Sequence, residues 1–279
     1  MAHLGKNRYG KSSVRLMKVV RHATHHSMKE WSVCVLLSGD FASCFIDADN
    51  KILPTDTVKN TVYWLARESS ATEMESFAVE LTKYFLSSQP QVNKVSVEIS
   101  EKSWQPMIID SAPHQTTYQM RGSELQTTEV TADRTRNFQI NSGVDGLMIL
   151  KTTNSAFTGF IRDKLTTLPE CADRIFGTRA TAVWEYLTTP NDYGTCRQSI
   201  LDAMLKTFAA HNSLSVQHTL YEMGKAALAA APELARIQLI MPNVHCLLVD
   251  LSRFGQTNPN QIFVPTDEPY GYIEAVVER

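Results

Sequence analysis

The segment Gly5-Lys6-Asn7-Arg8-Tyr9-Gly10-Lys11-Ser12 satisfies the pattern G-x-x-x-x-G-K-[ST], the signature of a loop that cradles phosphates with backbone N–H groups and a lysine. Cys246 to Asp250 has the matching form of an apolar strand ending in an aspartate that holds Mg²⁺. Together they would hydrolyse a nucleoside triphosphate. Such a cradle needs a buried strand before its first glycine and a helix after the Lys-Ser pair, because the N–H groups that hold the phosphate belong to a helix N-terminus. Only Met1 to Leu4 precede Gly5, and Ser13 to Arg21 reads as a strand. The motif is therefore expected to hold no phosphate.

The histidines of Arg21-His22-Ala23-Thr24-His25-His26 are the next candidates, as metal ligands, but their spacing matches no standard ligand motif and a polar hairpin tip accounts for them. The five cysteines, Cys34, Cys44, Cys171, Cys196 and Cys246, are odd in number and contain no C-x-x-C pair. They read as reduced, mostly buried thiols, with neither a disulfide framework nor a structural zinc site.

Composition narrows the partners. With 27 basic residues against 29 acidic ones, a formal net charge of −2 and no basic tract, the chain has nothing suited to a phosphate backbone, so no nucleic-acid partner is expected. No apolar run approaches the roughly 18 residues of a membrane span, and Met1 to Lys11 lacks the hydrophobic segment of a signal peptide. A cytosolic protein with no membrane partner is expected. At 43% hydrophobic residues over 279 positions, the chain can bury one large core or two medium ones.

The elements that must position any chemistry fall into two similar runs. Ser13 to Arg21 and Trp31 to Leu37 read as a long hairpin, the second strand alternating Trp31, Val33, Val35 and Leu37 with Ser32, Cys34 and Leu36. After a turn at Asp47 to Asn50, Thr55 or Asp56 is expected to cap a helix carrying Val58, Val62, Leu65 and Ala66 at helical spacing. The capping box Thr72-x-x-Glu75 opens a second helix with the stripe Met74, Phe77, Ala78, Leu81 and Phe85, and strand alternation returns at Val95, Val97 and Ile99.

The second half repeats the order. Leu147 to Leu150 and Thr181 to Leu187 read as extended, followed by helical stripes at Ile200, Met204, Phe208 and at Val216, Leu220, Met223, Ala227. Strands Ile237 to Met241 and Cys246 to Leu251 close it, separated by a turn with Pro242 and Asn243. The pattern is a duplicated strand-strand-helix-helix-strand-strand unit, an α+β architecture with antiparallel sheets covered by helices on one face. The uncovered face makes an oligomer the natural solution.

Six segments, in order over nearly the whole chain, resemble the uricase family: Arg8-Tyr9-Gly10-Lys11; Thr55-Asp56-Thr57-Val58-Lys59-Asn60-Thr61-Val62-Tyr63; Thr153-Asn154-Ser155-Ala156-Phe157-Thr158-Gly159-Phe160; Asp173-Arg174; Ser215-Val216-Gln217; and Pro242-Asn243-Val244-His245. The resemblance implies two tandem T-fold units, residues 1–136 and 137–279, each an antiparallel sheet with a helix pair on one face. It further implies a homotetramer around a tunnel, with active sites shared between neighbouring subunits. The implied activity is a urate oxidase that uses O2 and water to convert urate to 5-hydroxyisourate and hydrogen peroxide in purine degradation, with no cofactor and no metal.

On matching positions the family's roles make physical sense for a flat purine anion. Arg174 resembles the guanidinium that grips a carbonyl and a ring nitrogen with a planar pair of donors, which a lysine cannot copy. Gln217 resembles the amide that pairs with the opposite edge, assisted by the Val216 N–H, and Phe157 the aromatic platform beneath the ring. Lys11, Thr55 and His245 resemble a proton relay, and Asn243 the side chain that holds O2 or water above the ring. Thr55 and Asp56, at a helix start, also offer free backbone N–H groups to an anionic edge. A T-fold scaffold without chemistry has no use for Lys11, Thr55, Asn243 and His245 together. The C-terminal Val276-Val277-Glu278-Arg279 is not an S-K-L type peroxisomal address, which favours a bacterial, cytoplasmic setting.

Overall fold

A computed structural model describes residues 2–47, 49–135, 137–266 and 268–279. The chain divides into two compact units, one ending at Gly143 and the other starting at Val144.

In the first unit β1 (Tyr9–Arg21) and β2 (His26–Gly39) form the expected hairpin. A short helix α1 (Ala42–Ile46), then α2 (Thr55–Glu68) and α3 (Met74–Ser88), precede β3 (Val92–Ile109) and β4 (Ala112–Asp133). The strands lie antiparallel in the order β1-β2-β3-β4, with Val33 opposite Ile99, Val35 opposite Val97 and Leu37 opposite Val95. Because strand side chains alternate, Trp31, Val33, Val35 and Leu37 all point to one face and are buried there with Val58 and Val62 of α2 and Phe77, Leu81 and Phe85 of α3. Trp31 stacks on Phe77 at 5.2 Å. Each fully buried side chain of this size contributes roughly 1.5–3 kcal/mol, which is why the stripes rather than the helix propensities fix these elements.

The strand β1 begins at Tyr9, four residues before the expected Ser13, and this disposes of the phosphate loop. Gly10 and Lys11 pair with Leu36 and Val35 inside a sheet, and a Cβ on Gly10 would sit 1.8 Å from the Val35 carbonyl oxygen. The glycine is there for that close crossing, not for a phosphate. The partner aspartate is also occupied: Asp250 accepts the Ser252 N–H at 2.9 Å in a local turn. His22 and His25 stack at 4.5 Å at the hairpin tip, and among the described residues no three His, Cys, Asp or Glu side chains gather as a metal site.

Both capping expectations of this unit are overturned. Pro54, with φ −52° and ψ 136°, occupies the cap of α2, so Thr55 and Asp56 are its first two helical residues, and Asp56 binds Lys59 Nζ (2.5 Å) and Asn60 Nδ2 (3.1 Å) instead. Glu73, not Thr72, precedes α3, and Glu75 is wholly buried, accepting the Ser142 hydroxyl at 2.5 Å. A carboxylate drawn inward cannot reach back to a cap. The turn expected at Asp47 to Asn50 includes Ala48, outside the described residues.

β5 (Phe138–Lys151) carries the chain past the division. The second unit continues with β6 (Phe176–Tyr186), α4 (Tyr193–Ala210), α5 (Val216–Ala230), β7 (Leu234–Ile240), β8 (Asn243–Leu248), β9 (Phe263–Thr266) and β10 (Glu274–Glu278). Its strand order is β5-β6-β7-β10. Trp184, Ile237 and Leu239 are buried with Ile200, Met204 and Phe208 of α4 and Leu220, Met223 and Ala227 of α5.

The expected closing hairpin is not formed. Pro242 cannot donate to a ladder and ends the β7 segment. β8 then starts at Asn243 rather than Cys246 and pairs with β6, Thr178 opposite Asn243 and Gly177 opposite Val244, and with β9. β10 takes the place beside β7. The cysteines are all free, as expected, but only Cys196 is buried and the other four are half-buried. Among the described residues no helix is long and apolar enough to cross a membrane.

Candidate active site

In the first unit, Tyr9 and Lys11 are two residues apart on β1, so they point to the same face. A break in register between Lys11 and Val14, with Ser13 at φ 57°, ends that regular run immediately afterwards. The face looks toward the start of α2, which packs beside β1. Lys11 is half-buried, and its charge is among the groups that hold the Asp56 carboxylate below its ordinary range, after the larger effect of Lys59. Thr55 and Asp56 are exposed in the first turn of α2. The first intrahelical bond runs from the Val58 N–H to the Pro54 carbonyl, 3.1 Å, so the amides of Thr55, Asp56 and Thr57 lie ahead of the helix's own bonding.

In the second unit three loop segments are woven together by main-chain bonds. Phe157 and Cys171 exchange two of them, at 2.8 and 3.0 Å. The Arg174 N–H donates to the Ser155 carbonyl at 2.8 Å, and the Ala156 N–H to the Ser213 carbonyl at 2.7 Å. The segment between Asn154 and Phe157 is thereby tied to Ser213, two residues before Ser215 at the start of α5. Ser215 caps that helix, its hydroxyl accepting the His218 N–H at 3.1 Å. Val216 is buried and Gln217 is exposed, and both precede the first intrahelical donor, Thr219.

The Arg174 guanidinium lies 5.1 Å from the centre of the Phe157 ring, which itself stacks on Phe160 at 4.9 Å. Burial lowers the Arg174 pKa from its ordinary value, and its Nε is buried without a hydrogen-bond partner. The neighbouring Asp173 does not serve as that partner. Its carboxylate accepts the Thr153 hydroxyl at 2.6 Å and the Ser155 N–H at 3.2 Å, bonds that hold it below the ordinary carboxylate range. A half-buried guanidinium over an aromatic face, with a buried donor unpaired, is chemically suited to receive a planar anion.

Asn243 and His245 are both half-buried on β8 and two residues apart. Asn243 pairs with Thr178, whose buried hydroxyl has no hydrogen-bond partner, and its N–H donates to the Gly271 carbonyl at 3.2 Å. β6 links this strand to the clamp, since Arg174 precedes its first residue by two. Lys11, Thr55 and Asp56 thus form one cluster in the first unit, and Phe157, Arg174, Val216 and Gln217 another in the second, with Asn243 and His245 on the strand that pairs with β6.

Three supporting residues escaped the sequence reading: Ser213 and Ser155, which tie the loops, and Tyr9, whose hydroxyl accepts the Leu53 N–H at 2.8 Å. Tyr9 and Ser155 lay within recognised motifs, but nothing in their types announced their partners.

A model of the uricase family matches residues 7–131 and again 140–274. The chain belongs to the uricase family. The two matches fit two tandem T-fold units, the fold seen here. A curated uricase of Arthrobacter globiformis is 39% identical over 277 residues, covering 99% of this chain and 90% of that protein. The uricase of Dictyostelium discoideum is 36% identical, covering 100% and 98%. Among solved structures, the Arthrobacter globiformis uricase superposes with a TM-score of 0.94 at 38% identity, covering 100% of this chain and 96% of that one. A Bacillus sp. TB-90 urate oxidase shares the fold, with a TM-score of 0.86 at 22% identity.

Proposed function

We propose that the chain is a urate oxidase that converts urate, O2 and water to 5-hydroxyisourate and hydrogen peroxide in purine degradation, without a cofactor or a metal. The observation that carries this reading is Arg174: a desolvated guanidinium, with one buried donor unpaired, lying against an aromatic ring.

Arg174 grips a carbonyl and a ring nitrogen of urate, Gln217 pairs with the opposite edge, and the Val216 N–H adds a donor. Phe157 supports the ring, where stacking is worth roughly 1–3 kcal/mol by analogy with base–aromatic contacts. The free amides at Thr55 and Asp56 face an anionic edge. Lys11, Thr55 and His245 relay protons away from urate, and Asn243 holds O2, then water, above the ring. The deprotonated purine is itself the reductant: it passes electrons singly to O2, the pair recombines as a peroxide at C5, and water displaces the peroxide there. Protons returned through the relay complete hydrogen peroxide. The protein's share is orientation, deprotonation and exclusion of water.

The assembly is a homotetramer with active sites shared between neighbouring subunits. In support, the strands' uncovered face carries exposed apolar side chains, among them Met148, Leu150, Val183 and Val276 in the second unit. The two copies of the duplication are residues 1–136 and 137–279, a partition under which β5 opens the second copy as β1 opens the first.

The test is a spectrophotometric assay of purified, metal-stripped protein with urate and O2, following urate loss and peroxide together. One peroxide per urate is expected. Urate loss without peroxide, or no loss, refutes the reading.

A further inference from the structure

We infer that Tyr9 is a positioning residue for the oxidation, its hydroxyl holding the backbone that delivers Thr55 against the strand that delivers Lys11. The inference rests on the urate oxidase reading and on the relay assigned there.

The geometry is a direct tie between β1 and the lead-in to α2. Tyr9 and Lys11 share one face of β1, and Tyr9 Oη accepts the N–H of Leu53, two residues before Thr55. Between them stands Pro54, which has no N–H and a ring-fixed φ of −52°, so a shift at Leu53 passes to Thr55 with little slack. The charge of Lys11 also reaches the Asp56 carboxylate, as a minor contribution after Lys59, which agrees with the two segments lying near each other.

Tyr9 is well placed for this task. Its ring packs edge-on against the buried Phe41 at 4.8 Å. Burial raises the phenol above its ordinary pKa, opposed by the Leu53 bond itself, so the group stays a neutral hydroxyl. The rest of the lead-in is held from other directions: the Lys51 N–H reaches Cys44 Sγ at 3.2 Å, and the Ile52 N–H reaches Asn50 Oδ1 at 3.2 Å. The Lys51 carbonyl in turn accepts Gln91 Nε2 at 3.2 Å, so these anchors run to α1, to the loop itself and to the start of β3. Among the described residues of this lead-in, only the Leu53 bond is made to the strand that carries Lys11.

Removing the hydroxyl leaves a half-buried N–H without its acceptor, and the lead-in relaxes toward water. Most of the substrate grip belongs to Arg174, Gln217 and Phe157 and should persist, with only a small loss at the Thr55 and Asp56 amides, while the proton step should suffer most.

The experiment uses the full-length enzyme and the variant Tyr9→Phe, with urate turnover and the affinity for the non-oxidised xanthine anion measured side by side. Wild-type turnover comes first, because its absence would overturn the urate oxidase reading itself. With wild type active, Tyr9→Phe should lose about tenfold in kcat and keep its xanthine affinity within about twofold. In a Thr55→Ala background the same change should cost less than about twofold, since two residues acting through one step are not additive. Phe41→Leu, which disturbs the packing but keeps the hydroxyl, should lower the melting temperature and spare kcat. A Tyr9→Phe enzyme with full kcat overturns the proposal. So does an equal kcat loss in Phe41→Leu, or an undiminished tenfold loss in the Thr55→Ala background.

Discussion

The guanidinium of Arg174 lies over the ring of Phe157, 5.1 Å from its centre, while the adjacent Asp173 is committed to Thr153 and Ser155. The arginine is thus kept as a partly desolvated cation beside an aromatic ring, with its neighbouring carboxylate engaged elsewhere. Arg174→Ala should weaken binding of a xanthine anion by about 2–4 kcal/mol, the usual cost of removing a buried charge-assisted pair. Arg174→Lys should recover little of it, because an ammonium cannot present two coplanar donors. Isothermal titration decides, and near-wild-type affinity in Arg174→Lys would reduce the role to bulk charge.

Ser215 ties stability to the same site. Its hydroxyl caps α5, whose first two residues are Val216 and Gln217. Ser215→Ala should cost about 1 kcal/mol in urea unfolding, as lost caps do, and should raise the KM for urate more than it lowers kcat, because the frayed turn carries binding groups. An unchanged KM with the stability loss would separate the cap from the site.

The helices were legible wherever their apolar stripes were: Val58 and Val62, Phe77, Leu81 and Phe85, and Ile200, Met204 and Phe208 are all buried as their spacing requires. Their starts were not. Thr55 has the chemistry of a cap but follows Pro54, and Glu75 is drawn inward by Ser142, 67 residues away, a pull no local pattern encodes. Most of β4 went unread because segments such as Gln115-Thr116-Thr117 are polar on both faces and carry no alternation. β8 was misjoined because its partner is β6, far back in the chain. At the site, residue types were legible through short motifs. The lattice that brings Ser155, Arg174 and Ser213 together is made of backbone bonds, which every residue but proline can make and which leave no mark on side-chain identity.

His211, at the end of α4, predicts a pH dependence. Its ring meets that of His218 edge-on at 4.6 Å, its carbonyl accepts Lys151 Nζ at 2.6 Å, and Glu222 is the nearby carboxylate. Burial, then His218 and Lys151, lower its pKa, with Glu222 opposing. A histidine kept neutral by the fold contributes stability that is complete above its unfolded value of about 6.5 and is lost as pH falls from there through the lower folded value. Melting temperature should therefore fall more steeply between about pH 7 and about pH 5 in wild type than in His211→Gln. Parallel slopes would show that His211 is not the group responsible.

The exposed apolar side chains Met148, Leu150, Val183 and Val276 bear on assembly. In the proposed tetramer the active sites are shared between subunits, so dilution or mild denaturant that yields monomers should abolish activity, and reassembly should restore it. Light scattering coupled to the urate assay tests this, and a fully active monomer would contradict it.

Binding and chemistry should come apart in the first unit, where Lys11 lies on the strand that packs beside α2. In the proposed mechanism Lys11 and Thr55 matter chiefly while protons move, whereas Arg174 holds substrate in the ground state. Lys11→Ala and Thr55→Ala should bind xanthine within about 1 kcal/mol of wild type yet lose about 100-fold or more in kcat, as removal of a proton-transfer partner does. The double variant should be scarcely slower than either single one, because members of one relay fail together. If Lys11→Ala instead kept its kcat and lost only affinity, Lys11 would be a counter-ion for urate, and the proton path would have to run through other groups.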